Sequence, residues 1–333
     1  MENVMLILGN GFTIDFIDKI HKTEEIDVCN LFKNGDNVPW PENDRSGFLS
    51  YKYCPNLWNL GARPYLNTHE AITLIEDIIT CANILEVGNR TDQNIYFKAY
   101  KELVHYLYSL FIYYDSKVDN KSIKNINSTW GWAKYFKKLS NDRNVKNVYI
   151  ITFNYDIWLE RILKLLNIDF EISCFESKNT KFQIFKPHGS ISFQSKIKTD
   201  KDAFQIFYTK DNESIDVDKF DIKYTSIDAL GAKKAIIPPA GDSARLNFDW
   251  AKSIRDNIKT KAQSLNEDDD LVICGVSYWH VDRLEIDSIL KDIKPEIQNV
   301  RIINPNPPRV LNAVFTSLFK NVIFHTNCKN INK

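Results

Sequence analysis

Val4-Met5-Leu6-Ile7-Leu8-Gly9-Asn10-Gly11-Phe12-Thr13 is the stretch that decides how this chain folds. A continuous apolar run suits a strand buried on both faces, as in a parallel sheet, because a half-exposed strand alternates apolar with polar. The run ends at two glycines one residue apart. Glycine lets backbone N–H groups approach a ligand closely, and a helix N-terminus after such a turn favours negative charge. Strand, glycine turn and helix in that order open a doubly wound α/β domain. The motif alone is also compatible with a plain tight turn. Position 14 is Ile where the dinucleotide fingerprint has a third glycine, and no Gly-x-x-x-x-Gly-Lys-Ser/Thr sequence occurs, which argues against a P-loop ATPase.

Working outward, residues 15–61 carry a weak pattern rich in Asn, Asp, Pro and Gly, read as loops with short helices. A helical block follows. Asn67 is a good N-cap with Glu70 three residues on, and Ala71, Leu74, Ile75, Ile78, Ile79 and Ala82 recur at helical spacing towards a stop at Gly88. Tyr96, Phe97, Tyr100, Leu103, Val104, Leu107, Phe111 and Tyr114 make a second apolar face, read as core or oligomer interface rather than a ligand cage. A third helix is expected from Ser128, carrying Trp132, Tyr135, Phe136 and Leu139. Strands are then expected at 148–153, 182–185, 204–208, 235–237, 271–274, 300–303 and 322–325. Helices are expected at 156–166, 247–265, 281–293 and 308–318. The alternation predicts a Rossmann-like, doubly wound, mostly parallel sheet over residues 1–330, with a helical insertion at 62–145.

Composition bounds the function. Lysine plus arginine total 43 and aspartate plus glutamate total 43, so the formal net charge is zero and the footprint of a dedicated nucleic-acid-binding domain is absent. At 44% hydrophobic and 13% aromatic residues, the 333-residue chain can build a sizeable core. Its longest apolar stretches fall short of the roughly 20 residues that cross a bilayer, and no secretory leader pattern opens it. Cys29, Cys54, Cys81, Cys174, Cys274 and Cys328 are scattered without a Cys-x-x-Cys pair. They read as reduced thiols of a cytoplasmic protein, and no metal site is expected.

In open α/β sheets, ligands bind beyond the carboxyl ends of the strands. The expected strands end at Gly9-Asn10-Gly11-Phe12-Thr13, Asn154-Tyr155-Asp156, Lys186-Pro187-His188-Gly189-Ser190, Gly275-Val276-Ser277 and Asn304-Pro305. If the sheet is parallel, these groups share one rim. Asp156 suits an N-cap for the helix after it. Asn154 has a less obvious structural job and can hydrogen-bond a ligand. His188, between a proline and a glycine, can accept a proton near neutral pH. His280 is a weaker second candidate; His21, His69, His105 and His325 read as structural or surface groups.

Taken together, these motifs resemble the sirtuin-type NAD-binding domain, and most closely the sirtuin-like NAD hydrolases of bacterial anti-phage defence. Sirtuins open with Gly-Ala-Gly-x-Ser, matched here by Gly9 to Thr13 with Asn and Thr substituted. Their Thr-Gln-Asn-x-Asp is matched by Thr152-Phe153-Asn154-Tyr155-Asp156, except at Phe153. Their His-Gly is matched at His188-Gly189, their Gly-Thr-Ser at Gly275-Val276-Ser277, and their Ile-Asn at Ile303-Asn304. The resemblance implies that Gly9, Asn10, Gly11, Phe12 and Thr13 cradle the pyrophosphate of NAD. It implies that Asn154 and Asp156 hold the nicotinamide ribose, that His188 is the base, and that Gly275, Ser277 and Asn304 contact the adenosine half. It further implies an NAD hydrolase acting as an abortive-infection effector. Homo-oligomers, or a partner such as a HerA-type ATPase or an Argonaute-like protein, would control it. Deacetylating sirtuins hold a small zinc module on two Cys-x-x-Cys pairs; this chain has neither, and the helical block takes that place. Phe153 replaces a ribose-contacting glutamine, which favours simple hydrolysis. A second resemblance is to abortive-infection proteins that begin with a similar Gly-Asn-Gly-Phe.

Two other classes compete. One is a non-catalytic NAD- or ADP-ribose-binding regulatory subunit. The other is a metal-dependent nuclease built on Asp216, Asp221 and Lys223, a pattern that arises easily in a chain that is 26% charged.

Overall fold

β1 (Glu2–Leu8) runs through the interior of a seven-stranded sheet, its last five residues buried. The computed structural model describes residues 2–87, 94–208, 215–241, 248–277 and 280–331. After β1 come α1 (Asn10–Lys19), α2 (Pro55–Asn59), α3 (Thr68–Val87), α4 (Ile95–Ser116), α5 (Asn120–Ile126) and α6 (Gly131–Asn141). Only then does the chain return as β2 (Val145–Thr152), parallel to β1. α7 (Trp158–Leu165), β3 (Phe170–Ile172), β4 (Phe182–Phe185) and β5 (Gly189–Ser195) follow. β6 (Phe220–Ile222), β7 (Lys234–Ile236) and α8 (Asp249–Gln263) lead back to the main sheet. The last third holds β8 (Asp270–Cys274), α9 (His280–Asp292), β9 (Asn299–Ile303), α10 (Arg309–Leu318) and β10 (Val322–His325).

The main sheet has the order β10-β9-β8-β1-β2-β4-β3. All its pairings are parallel. The expected doubly wound α/β sheet is therefore present. After β1 the chain builds outward through β2, β3 and β4, then crosses to the other side through β8, β9 and β10, which makes the β1/β8 boundary the switch point. β5, β6 and β7 form a separate antiparallel sheet, ordered β6-β5-β7.

Local chemistry sets several boundaries. Asn67 and Glu70 form a reciprocal capping box: the Glu70 amide donates to Asn67 Oδ1 at 3.0 Å and the Asn67 amide to Glu70 Oε2 at 2.8 Å. The expected stop at Gly88 lies outside the described residues. On α4, Tyr100, Leu103, Leu107, Phe111 and Tyr114 are buried in the core. Tyr108 Oη on the same helix donates to Ile191 O at 2.9 Å, tying it to β5.

Three sequence expectations differ from what forms. Residues 204–208 make no strand: Phe204 and Ile206 are buried at period two, but among the described residues no strand pairs with them. The helix expected from Ser128 begins at Gly131. β3, β5 and β6 were not anticipated, and β5 begins inside the segment read as a loop.

Candidate active site

Register fixes which residues meet at the sheet's carboxyl rim. Leu8 is level with Thr152 on one side and Cys274 on the other, Ile151 with Phe185, and Cys274 with Ile303. The residues after these positions are Gly9, Phe153, Lys186, Gly275 and Asn304. The five motifs, scattered over 296 positions of sequence from Gly9 to Asn304, thus share one rim.

Asn154 is held by a short relay. Its Nδ2 donates to Thr13 Oγ1 at 2.8 Å and to Gly9 O at 3.2 Å. A backbone carbonyl only accepts, so the Gly9 contact fixes which end of the amide is nitrogen. The Thr13 hydroxyl donates onward to Asp156 Oδ2 at 2.8 Å, and Asp156 Oδ1 accepts from the Trp158 amide at 3.0 Å. The N-cap of α7 is thus Ile157 rather than the expected Asp156; Asp156, one residue earlier, accepts from the helix's first amide and holds the relay with its other oxygen. Both amide protons of Asn154 are engaged, which leaves Oδ1, an acceptor, as its functional end. Burial pushes the Asp156 carboxyl up to about 6, against the opposing pull of the Lys186 ammonium and the bonds from Trp158 and Thr13. Lys186 Nζ donates to Asp156 O and pairs with Glu160 at 2.8 Å, in a pair 1% and 0% exposed.

His188 arrives from β4. Its Nε2 pairs with Glu285 Oε2, and Glu285 Oε1 accepts from Arg255 Nε at 2.6 Å. Burial alone would raise the Glu285 carboxyl; its pairing with His188 and with the Arg255 guanidinium outweighs it and holds the group at about 2. The Phe153 ring lies beside the imidazole, centroids 5.0 Å apart. Gly189 has a φ of +85°, and a Cβ there would meet Ala235 O at 1.8 Å, so only glycine lets β5 turn away directly after the histidine. Backbone bonds strap the segments together: Ile191 N to Tyr155 O and Ile237 N to His188 O, both 3.0 Å.

A cavity of about 280 Å³ opens over this rim, and Asn10, Phe153, Asn154, Asp156, His188 and Ser277 are among the residues lining it. Phe111, Leu31 and Pro239 give it an apolar wall. That volume falls just short of the range of roughly 300–1,000 Å³ that drug-sized ligands occupy.

The remaining candidate residues are placed as follows. Gly9 and Gly11 pack against the β8 turn: Gly11 N donates to Gly275 O at 3.0 Å, and a Cβ on Gly11 would sit 2.4 Å from Gly275 Cα. These glycines therefore close the β1/β8 crevice, backbone on backbone. Phe12 points into the core, its ring 5.5 Å from Trp130 and 5.4 Å from Trp132. Asn10 Nδ2 donates to Val28 O at 3.0 Å, joining the turn to the wall of the cavity. Asn304 bonds Val276 O at 3.3 Å and the Asn306 amide at 3.0 Å, bracing the β8 and β9 turns. His280 opens α9, and its side chain lies outside the described residues. Asp216 caps the turn before β6, and Asp221 is an exposed β6 residue 3.8 Å from Lys196, which gives both structural positions. Among the described residues no group of three or more His, Cys, Asp or Glu side chains could hold a metal ion, and no helix is long and apolar enough to cross a membrane.

Glu285 and Arg255 escaped the sequence reading. Both sit in ordinary amphipathic helices; the only sequence signal is a carboxylate beside the buried Ile286 in the helix after the Gly275 turn. No protein-family model matches the chain, and no curated protein matches it.

Proposed function

We propose that this protein hydrolyses the nicotinamide–ribose bond of NAD, releasing nicotinamide and ADP-ribose. The observation that carries the reading is that Asn154 and His188 line the same cavity, at the rim where a doubly wound sheet binds its ligand. The apolar wall of Phe111 and Phe153 suits a nicotinamide ring. Cleavage of an N-glycosidic bond passes through an oxocarbenium-like state, in which the sugar must be oriented and the incoming oxygen must lose a proton. Asn154 Oδ1 accepts a hydrogen bond from the attacking water or from a ribose hydroxyl. The water oxygen bonds to C1′, the C1′–N bond breaks, and nicotinamide leaves with the electron pair. The water's proton passes to His188, whose imidazolium the Glu285 carboxylate stabilises. The dinucleotide's other half lies across the Gly275–Ser277 turn.

An enzyme of this kind depletes an essential metabolite, which suits an anti-phage effector that kills the infected cell. Restraint then comes from homo-oligomer assembly or from a partner, for which a HerA-type ATPase or an Argonaute-like protein is the proposal the resemblance supplies.

Purified protein incubated with NAD and assayed for nicotinamide tests the reading. Release by the wild type, lost in Asn154→Ala and His188→Ala with the fold retained, is the expected result. Absence of release in every assembly state, or activity surviving in both variants, overturns it. Tight ADP-ribose binding without turnover would identify a non-catalytic regulatory subunit instead.

A further inference from the structure

We infer that Glu285, clamped by Arg255, is the positioning residue that sets the tautomer and orientation of His188. The inference deepens the proposed hydrolase reading, and its geometric half stands apart from it.

The contacts divide the labour. Glu285 uses one oxygen for the Arg255 guanidinium at 2.6 Å and the other for His188 Nε2. A carboxylate serving only to clamp α8 to α9 would need only the first. The ring and the carboxylate are both shielded, with side chains 3% and 11% exposed, so the contact is made where water competes little. Arg255, 21% exposed, stops the carboxylate from swinging away. Phe153 limits the imidazole from the side. A neutral ring facing a carboxylate through Nε2 carries its proton there, which puts the acceptor lone pair on Nδ1. On the hydrolase reading the ring takes the water's proton, and the resulting imidazolium keeps its charge-assisted bond to Glu285. Acid, histidine and substrate oxygen follow the logic of a hydrolase triad, with water in the nucleophile's place.

The test has two arms. Histidine-selective ¹⁵N labelling, with His188 assigned through His188→Ala, reads the tautomer directly in the wild-type protein. A neutral ring protonated at Nε2 is expected; a neutral ring protonated at Nδ1, or an imidazolium at the pH of turnover, overturns the inference. The kinetic arm uses Glu285→Gln, checked for a native thermal transition. Replacing a carboxylate that orients a catalytic histidine should lower kcat roughly 10²–10⁴-fold while KM stays within about threefold. Unchanged kcat overturns the positioning role, as does a loss carried wholly by KM. If the wild type releases no nicotinamide yet the Nε2 tautomer is present, the hydrolase reading fails while Glu285 as the orienting group survives.

Discussion

Asn154 Nδ2 and Thr13 Oγ1 lie 2.8 Å apart, joining two segments 141 positions apart in sequence. The hydroxyl stands between an amide it accepts from and a carboxylate it donates to, so it transmits the position of Asp156 to Asn154. Thr13→Val keeps the shape and removes both bonds. Its nicotinamide release should fall roughly 10- to 100-fold, as when an outer hydrogen-bond partner is lost, while Thr13→Ser stays near wild type. Equal rates in both variants would show that the relay has no role.

Asp156 makes stability depend on pH in a definite direction. A carboxyl raised to about 6 in the native state favours folding fully below its unfolded value, near 3.9, and this contribution is lost as pH rises through 6. Asp156→Asn has no such loss. Urea denaturation should show the variant gaining on the wild type between pH 4 and pH 7, by at most about 3 kcal/mol. A constant difference, or one of opposite slope, would contradict the burial argument.

Lys186 and Glu160 form an ion pair with both side chains out of water. Removing one partner strands the other charge, so Lys186→Met should destabilise the fold by about 3–5 kcal/mol. Adding Glu160→Gln should recover part of that loss. A double variant less stable than Lys186→Met alone would sink this account.

Gly275 has a φ of +61°, and a Cβ there would lie 2.3 Å from Gly11 Cα. Both the conformation and the space exclude a side chain, so Gly275→Ala should cost more than about 1 kcal/mol without ligand. A native unfolding midpoint would mean that the glycine pair serves only a ligand.

Six of the seven strands of the main sheet were legible, most clearly where burial on both faces leaves an unbroken apolar run, as at residues 4–8 and 271–274; the three-residue edge strand β3 was not. The rim was legible because parallel strands expose their ends together. β5 was not, because its start at Gly189-Ser190 follows Pro187-His188 and reads as a loop; the alternation of Ser190-Ile191-Ser192-Phe193 is that of a half-exposed strand, yet every residue is buried. Its serines face hydrogen-bonding partners, such as Ser190 Oγ with Tyr155 O at 3.3 Å, rather than water. Phe12 lies in a motif that suggests a ligand, but packing against Trp130 and Trp132 claims its ring. Glu285 was invisible because its value lies in tertiary pairing with a residue 97 positions away.

The most direct measurement is a crystal structure of the protein with ADP-ribose. The distal ribose should occupy the cavity, with C1′ between Asn154 and His188 and the pyrophosphate passing over the Gly275–Ser277 turn. A saturated complex with the nucleotide bound anywhere else would contradict the claim that these two side chains act on one sugar.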